Sequence, residues 1–222
     1  MVDSNKSRWR AWLWLLAGLA VVGAAFPFDS RVCVALDVAS DPTLKGIASW
    51  CSKLGEGWVI AVTAVFFSSI YLAANKPGPA ARIFFVGLTS ELVGLASIIL
   101  RLLAGRTRPS NHEVPQGFYG LWHDGHWIAG QFKFSSFPSG HAATAAGLVA
   151  AAWLLNRGWA GVLAIYALAV MWSRIALECH HLSDVLASTV LAIPMAIWLK
   201  PYLLPFLEFH FGNLNRALRR KK

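Results

Sequence analysis

Residues 57–75 read GWVIAVTAVFFSSIYLAAN, which is 19 residues without a charge between Glu56 and Lys76. A helix needs about 20 consecutive, mainly apolar residues to cross the hydrocarbon core of a bilayer. This stretch is therefore read as a membrane span, and it decides the fold. Working outward, residues 11–28 give 18 uncharged residues between Arg10 and Asp29. Residues 83–104 are long enough but contain Glu91 and Arg101. Residues 142–156, 158–173 and 185–199 are shorter, at 15, 16 and 15 residues, and gain length if His141, Arg174 and Asp184 belong to the helices. No stretch alternates with period two, which argues against a membrane β-barrel. The expectation is an all-α, polytopic bundle of six transmembrane helices forming one domain over residues 1–222.

Composition agrees. Hydrophobic residues make up 56% and charged residues 14%, with 11 Trp, 13 Phe and a mean hydropathy of +0.51. A soluble domain carries about 25% charged residues. These values exclude a disordered chain, a coiled coil and a disulfide scaffold. The formal charge of +9 would suggest nucleic acid in a soluble protein; here topology explains it. Six spans put both termini on one side, with 12 of the 20 basic residues against two acids, Asp3 and Glu208. By the positive-inside rule that side is cytoplasmic. The run Arg219-Arg220-Lys221-Lys222 is read as a topology anchor, and no nucleic-acid partner is expected. The N-terminus also has the outline of a signal peptide, a basic start and an apolar core before Val22-Gly23-Ala24-Ala25. The charge bias favours an uncleaved first helix in the cytoplasmic (inner) membrane.

Residues 29–56 form an outer segment between spans one and two. Asp41-Pro42 reads as an N-cap with Pro at N1. Leu44, Ile47, Trp50, Cys51 and Leu54 then share a helical face, and Gly55 ends it. This predicts an amphipathic helix in the outer interface. Cys33 and Cys51 share this segment, where a disulfide is one option. Cys179 is expected to be a small buried hydrophobe.

Charged groups in or beside spans are expensive, and each is a functional hypothesis. Three clusters fall on the outer face by the topology above. They are Arg101 to Pro109 at the end of span three, Phe137-Pro138-Ser139-Gly140-His141 opening span four, and Ser173 to Asp184 from span five into span six. Arg101, Arg108 and Arg174 supply permanent cations with forked donors that suit phosphate oxygens. Ser139 and Gly140 at a helix start offer free N–H groups and the positive end of the helix dipole. His180 and Asp184 are spaced i, i+4, so the carboxylate can reach the imidazole and fix its tautomer. His141 is a second imidazole for proton transfer.

Arg101-x6-Arg108-Pro109, then Pro138-Ser139-Gly140-His141, then Ser173-Arg174-x5-His180-x3-Asp184 resembles the three-part signature of the type 2 phosphatidic-acid phosphatase superfamily, membrane lipid-phosphatase branch. The signature spans residues 101–184. One position departs, since the family usually has Lys where this chain has Arg101. The resemblance implies that His180 attacks phosphorus to form a phosphohistidine and that Asp184 orients it. It implies that Arg101, Arg108, Arg174, Ser139 and Gly140 hold the phosphoryl oxygens. His141 protonates the leaving oxygen and then activates water. No metal or cofactor is implied, because fixed cations neutralise the developing charge. The substrate class is a lipid phosphate monoester or diphosphate: phosphatidylglycerophosphate, phosphatidate, undecaprenyl diphosphate or a lipid A phosphate. A lipid phosphotransferase with the same nucleophile and a non-enzymatic scaffold or channel are the alternatives. Nothing in the sequence signals an oligomeric state.

Other polar residues take plainer readings. Arg106 is expected to be a solvated interface residue, and His181 to be substrate-facing or structural. His112, Glu113, His123, Asp124 and His126 are assigned to hydrogen bonding and headgroup contact in the outer loop, residues 110–137. Glu91, about 15 Å deeper than Arg101 on a straight helix, is expected to be a buried hydrogen-bonded carboxyl.

Overall fold

The computed structural model describes residues 4–220. Asp3, Lys221 and Lys222, counted above for topology, lie outside the described residues. The chain runs α1 (Ser4–Ala25), a 3₁₀ turn (Phe26–Phe28), α2 (Asp29–Leu36), α3 (Pro42–Leu54), α4 (Gly57–Ala73), α5 (Pro77–Ala104), a small hairpin, α6 (Gly140–Trp153), α7 (Arg157–Ala176) and α8 (Leu182–Arg219). The hairpin, β1 (Trp122–His123) with β2 (His126–Trp127), is the one sheet among the described residues, beside an isolated antiparallel bridge between Arg106 and Phe118. Asp124 and Gly125, both at positive φ, turn it, the Asp-Gly signal of a two-residue hairpin.

Local chemistry sets the helix ends. Asp41 accepts hydrogen bonds from Thr43 N and Leu44 N to start α3, and Asn156 does the same for Gly158 N and Trp159 N at α7. Gly105 ends α5 at φ 58°, where a Cβ would lie 2.0 Å from Gly120 O. Only glycine fits that reversal.

α5 and α6 lie at the centre. α5 packs on α4, α6 and α8, α6 packs on α5, α7 and α8, and α1 lies along α8. The contacts are made by small and hydroxyl residues. Ala142, Ala143 and Ala145 are fully buried. Ser90 Oγ donates to Thr144 O at 2.7 Å, and Gly147 faces Ser90. Large apolar side chains point outward instead, including Val62 and Phe66 on α4 and Ile165 and Leu168 on α7. A small-residue interior under an apolar exterior is how helices associate in lipid.

Among the described residues, four helical segments are long and apolar enough to cross a membrane: Leu15–Leu36, Pro77–Ala104, Arg157–Ala176 and Leu182–Arg219. A fifth arises if α3 and α4, bent by 56°, count as one broken span. α6 has 14 residues, about 21 Å, shorter than the hydrocarbon core. The last span exceeds its expected end at residue 199, because α8 continues to Arg219 through Pro194, Pro201 and Pro205. Each proline removes one backbone donor. Leu203, Leu204, Leu207 and Phe211 still pack on Phe84 and Phe85 of α5, and that burial holds the helix together.

α3 forms over the expected residues. Ala48 and Ser52 are buried, while Leu44, Ile47, Trp50 and Leu54 are exposed. Cys33, Cys51 and Cys179 are free thiols, so the disulfide option does not hold. Cys33 is buried in α2, facing His180 O and His181 Nδ1 at 3.9 and 4.0 Å. Cys179 is half-buried rather than buried.

Candidate active site

Four helix ends meet where the three clusters fall: the end of α5, the start of α6, the end of α7 and the start of α8. The α7–α8 corner is tight. Cys179 N and His180 N both donate to Arg174 O at 3.1 Å, and Glu178 takes the left-handed conformation at φ 50°. This reversal sets Arg174, His180 and Asp184 side by side. Ser139 N donates to Asp184 O at 3.3 Å and Ser188 Oγ to Ser139 O at 2.8 Å, which ties the start of α6 to α8.

His180 is 1% exposed. Its Nδ1 lies 2.7 Å from Ser136 O. A carbonyl only accepts, so Nδ1 carries the proton and Nε2 keeps its lone pair. Asp184 was expected to make that contact. Its Oδ2 is 3.8 Å from Nδ1, so the Ser136 carbonyl is the direct orienting group and the carboxylate acts at longer range. Asp184 is itself fully buried. Oδ2 accepts from Ser136 Oγ at 2.6 Å and His181 N at 2.8 Å, and Oδ1 accepts from Arg106. Burial pushes the His180 imidazole down to about 4, against the opposing pull of Asp184.

The three arginines expected to hold an anion lie close to one another. A Cβ on Gly140 would lie 3.4 Å from Arg101 Nη1, so this guanidinium sits over the start of α6. Arg108 Nε donates to Phe132 O at 2.9 Å, and its guanidinium stacks 3.7 Å from the Phe132 ring. Burial, with the charges of Arg174 and Arg101, pushes Arg108 down to about 10, although nearby Cys179 opposes this. Arg174 Nη1 is held by Ser52 Oγ of α3. Arg108 Nη1, Arg174 Nε and Ser139 Oγ are buried without a protein partner. Ser139, the N-cap of α6, makes no side-chain cap bond, so the first-turn N–H groups of α6 face the same region uncapped. Buried donors without partners are rare. Donors on residues near the start of α6 suit an acceptor-rich anion. His141 is partly exposed at this helix start.

Two residues depart from the reading above. Arg106 is buried rather than solvated, bonded to Asp184, Ser183 and Asp29. The cause is Gly105, whose left-handed turn points the next side chain inward. Glu91 is half-buried, and its Oε1 has no hydrogen-bond partner. His181 is structural, with Nε2 3.2 Å from Thr107 O and its backbone N on Asp184. In the outer loop Glu113 accepts from Lys133 at 2.7 Å, which lowers the Glu113 carboxyl. The His123 ring lies 4.3 Å from the Tyr119 ring, tilted by 59°. Ser136 and Asp29 were not legible in advance. Ser136 acts through its carbonyl, which any residue supplies. Asp29 carried one signal, a charge placed directly after a span.

A family model described as PAP2 superfamily matches residues 80–206. No curated protein sequence matches the chain. Among solved structures, LpxE of Aquifex aeolicus is similar with a TM-score of 0.54 and 18% identity, over 79% of this chain and 96% of that one. A transmembrane PAP2-type phosphatidylglycerolphosphate phosphatase from Bacillus subtilis is similar with a TM-score of 0.56 and 19% identity, over 87% and 94%.

Proposed function

The chain belongs to the PAP2 superfamily, and on that premise we propose that it is an integral-membrane lipid phosphatase working through a phosphohistidine. The observation that carries this reading is the set of buried, unpartnered donors, Arg108 Nη1, Arg174 Nε and Ser139 Oγ, gathered at the uncapped start of α6 beside a histidine held with Nε2 free. One structural neighbour is named as a phosphatidylglycerolphosphate phosphatase, which supports the substrate class.

In the proposed reaction the Nε2 lone pair of His180 forms a bond to phosphorus as the bond to the lipid oxygen breaks. His141 delivers a proton to that oxygen. The imidazole becomes cationic, and the carboxylate of Asp184 stabilises it. Arg101, Arg108, Arg174, Ser139 Oγ and the Gly140 N–H hold the phosphoryl oxygens, where fixed donors act most strongly on developing charge. His141 then takes a proton from water. Water oxygen bonds phosphorus, the P–N pair returns to Nε2, and phosphate leaves.

The topology that fits has six crossings, with α4 and α6 as the short ones. Both termini are cytoplasmic and the site faces out, where lipid tails stay in the bilayer as the headgroup enters. α3 lies in the outer interface with Leu44, Ile47, Trp50 and Leu54 toward lipid. The test is phosphate release by purified protein from phosphatidylglycerophosphate, phosphatidate, undecaprenyl diphosphate and a lipid A phosphate, without added acceptor. Release from at least one, abolished in His180→Ala, is expected. No release from any, or release undiminished in His180→Ala, overturns the reading.

A further inference from the structure

Phosphate binding does not account for every buried charge behind the nucleophile. The Arg106 side chain is 8% exposed and gives both terminal nitrogens to protein. Nη1 donates to Asp184 Oδ1 and, at 2.6 Å, to Ser183 Oγ, while Nη2 donates to Asp29 Oδ2 at 2.7 Å. Asp29 is the first residue of α2, and its side chain is 5% exposed. Its Oδ1 accepts from Ser183 N at 2.8 Å and its Oδ2 from Ser183 Oγ at 2.6 Å. The rings of Phe26, Phe118 and Phe137 lie 4.7, 5.0 and 6.0 Å from the guanidinium and keep water away. Two carboxylates thus share one cation. The surplus negative charge faces the first turn of α8, where Ser183 N and His181 N donate to Asp29 and Asp184. That is the positive end of the helix dipole.

We infer that Asp29 is a positioning residue for phosphoryl transfer: through Arg106 and Ser183 it holds the Asp184 carboxylate and the first turn of α8 in register with His180. The inference rests on the phosphatase reading of His180. Asp29 touches no reacting atom. Without its charge, Arg106 has a single carboxylate to neutralise. Its full charge then falls on Asp184, which is less able to stabilise the imidazolium formed as Nε2 bonds phosphorus. Asp29→Asn also leaves one accepting oxygen for three donors, Ser183 N, Ser183 Oγ and Arg106 Nη2. Asp29 precedes residues 80–206, the stretch matched by the family model. The first helical segment therefore supplies a working part of the site as well as an anchor.

A double-mutant cycle tests this in full-length protein in detergent micelles, with a lipid phosphate that wild type hydrolyses. The variants are Asp29→Asn, Asp184→Asn and the pair, with Asp37→Asn, an exposed carboxylate on the same outer segment, as control. Turnover, KM and inhibition by inorganic phosphate are measured. Asp29→Asn is expected to lower kcat on the order of tenfold to a hundredfold, by analogy with outer partners of metal ligands. KM and phosphate inhibition, which read the arginine clamp, stay near wild type. The loss shrinks to within about threefold in the Asp184→Asn background, because groups acting in series are not additive. Asp29→Glu recovers part of the turnover. Wild-type kcat in Asp29→Asn, or the same fold-loss in both backgrounds, overturns the inference. Should Asp29→Asn not accumulate folded, Arg106→Lys enters the same cycle. It keeps the cation but loses the fork that gives one nitrogen to each carboxylate, and additivity with Asp184→Asn overturns the proposal equally. Failure of the phosphatase reading shows separately, as absent phosphate release in wild type.

Discussion

The His180 imidazole is held neutral in the fold, and its pH dependence has a definite sign. Its pKa falls from 6.5 to about 4 on burial, so the unfolded chain binds the proton more readily. The stability this group contributes is fully present above pH 6.5 and is lost as pH falls through about 4. His180→Gln removes the titration, and the fall in melting temperature between pH 6.5 and 4 should become shallower than in wild type. Parallel curves would show that the imidazole is not held neutral. A second residue-scale expectation concerns Arg101, which lies over Gly140. Arg101→Lys keeps a cation but loses the fork. It should retain more turnover than Arg101→Ala and fall at or below wild type. Wild-type turnover in Arg101→Ala would remove this position from the clamp.

Helix contact distances dominate at the scale of elements. A Cβ on Gly87 would lie 2.3 Å from Ala64 Cβ, so α4 and α5 touch through a position with no room for a side chain. Gly87→Leu should part the pair and cost about 1–3 kcal/mol, the usual range for overpacking, measured as a lower melting temperature in detergent. Gly78→Ala, with nothing within 4 Å of the added atom, should change little. Equal behaviour of the two would show that the α4–α5 contact is loose. Other single helices depend on tertiary support as well. Lys200 Nζ of α8 donates to Leu154 O at 2.7 Å, closing the end of α6.

Charge is divided by function across the whole molecule. In the proposed topology the basic termini anchor the cytoplasmic face, while Arg101, Arg108 and Arg174 belong to the proposed phosphate site on the other face. If those cations supply all the neutralisation in phosphoryl transfer, a chelator should leave turnover unchanged. Vanadate, which readily becomes five-coordinate, should compete with lipid, and its binding should weaken in Arg174→Ala. Activity lost in chelator and restored by magnesium would contradict this.

Hydropathy and charge spacing located the main helices, because a bilayer penalises unpaired backbone wherever a span fails to form, but α2 and the extension of α8 to Arg219 were not read from them. Arg101, Arg108, Ser139, Gly140, His141, Arg174, His180 and Asp184 stood out as candidate site residues because cations, imidazoles and a helix start are chemically distinctive in an apolar chain. Their convergence on one end of the bundle followed from counting spans. The sequence did not show which acceptor holds His180. Ser136 serves through a backbone carbonyl, which every residue type has, and only the approach of the loop to α8 selects it. Arg106 looked solvated because spacing cannot tell that Gly105 turns the chain and aims the next side chain inward. Asp29 lies 155 positions before Asp184 in the chain, and only the packing of the first helical segment against α8 brings the two carboxylates to one guanidinium. Local periodicity and composition determine where helices form, whereas partners distant in sequence are chosen by burial, which exists only once the helices have packed.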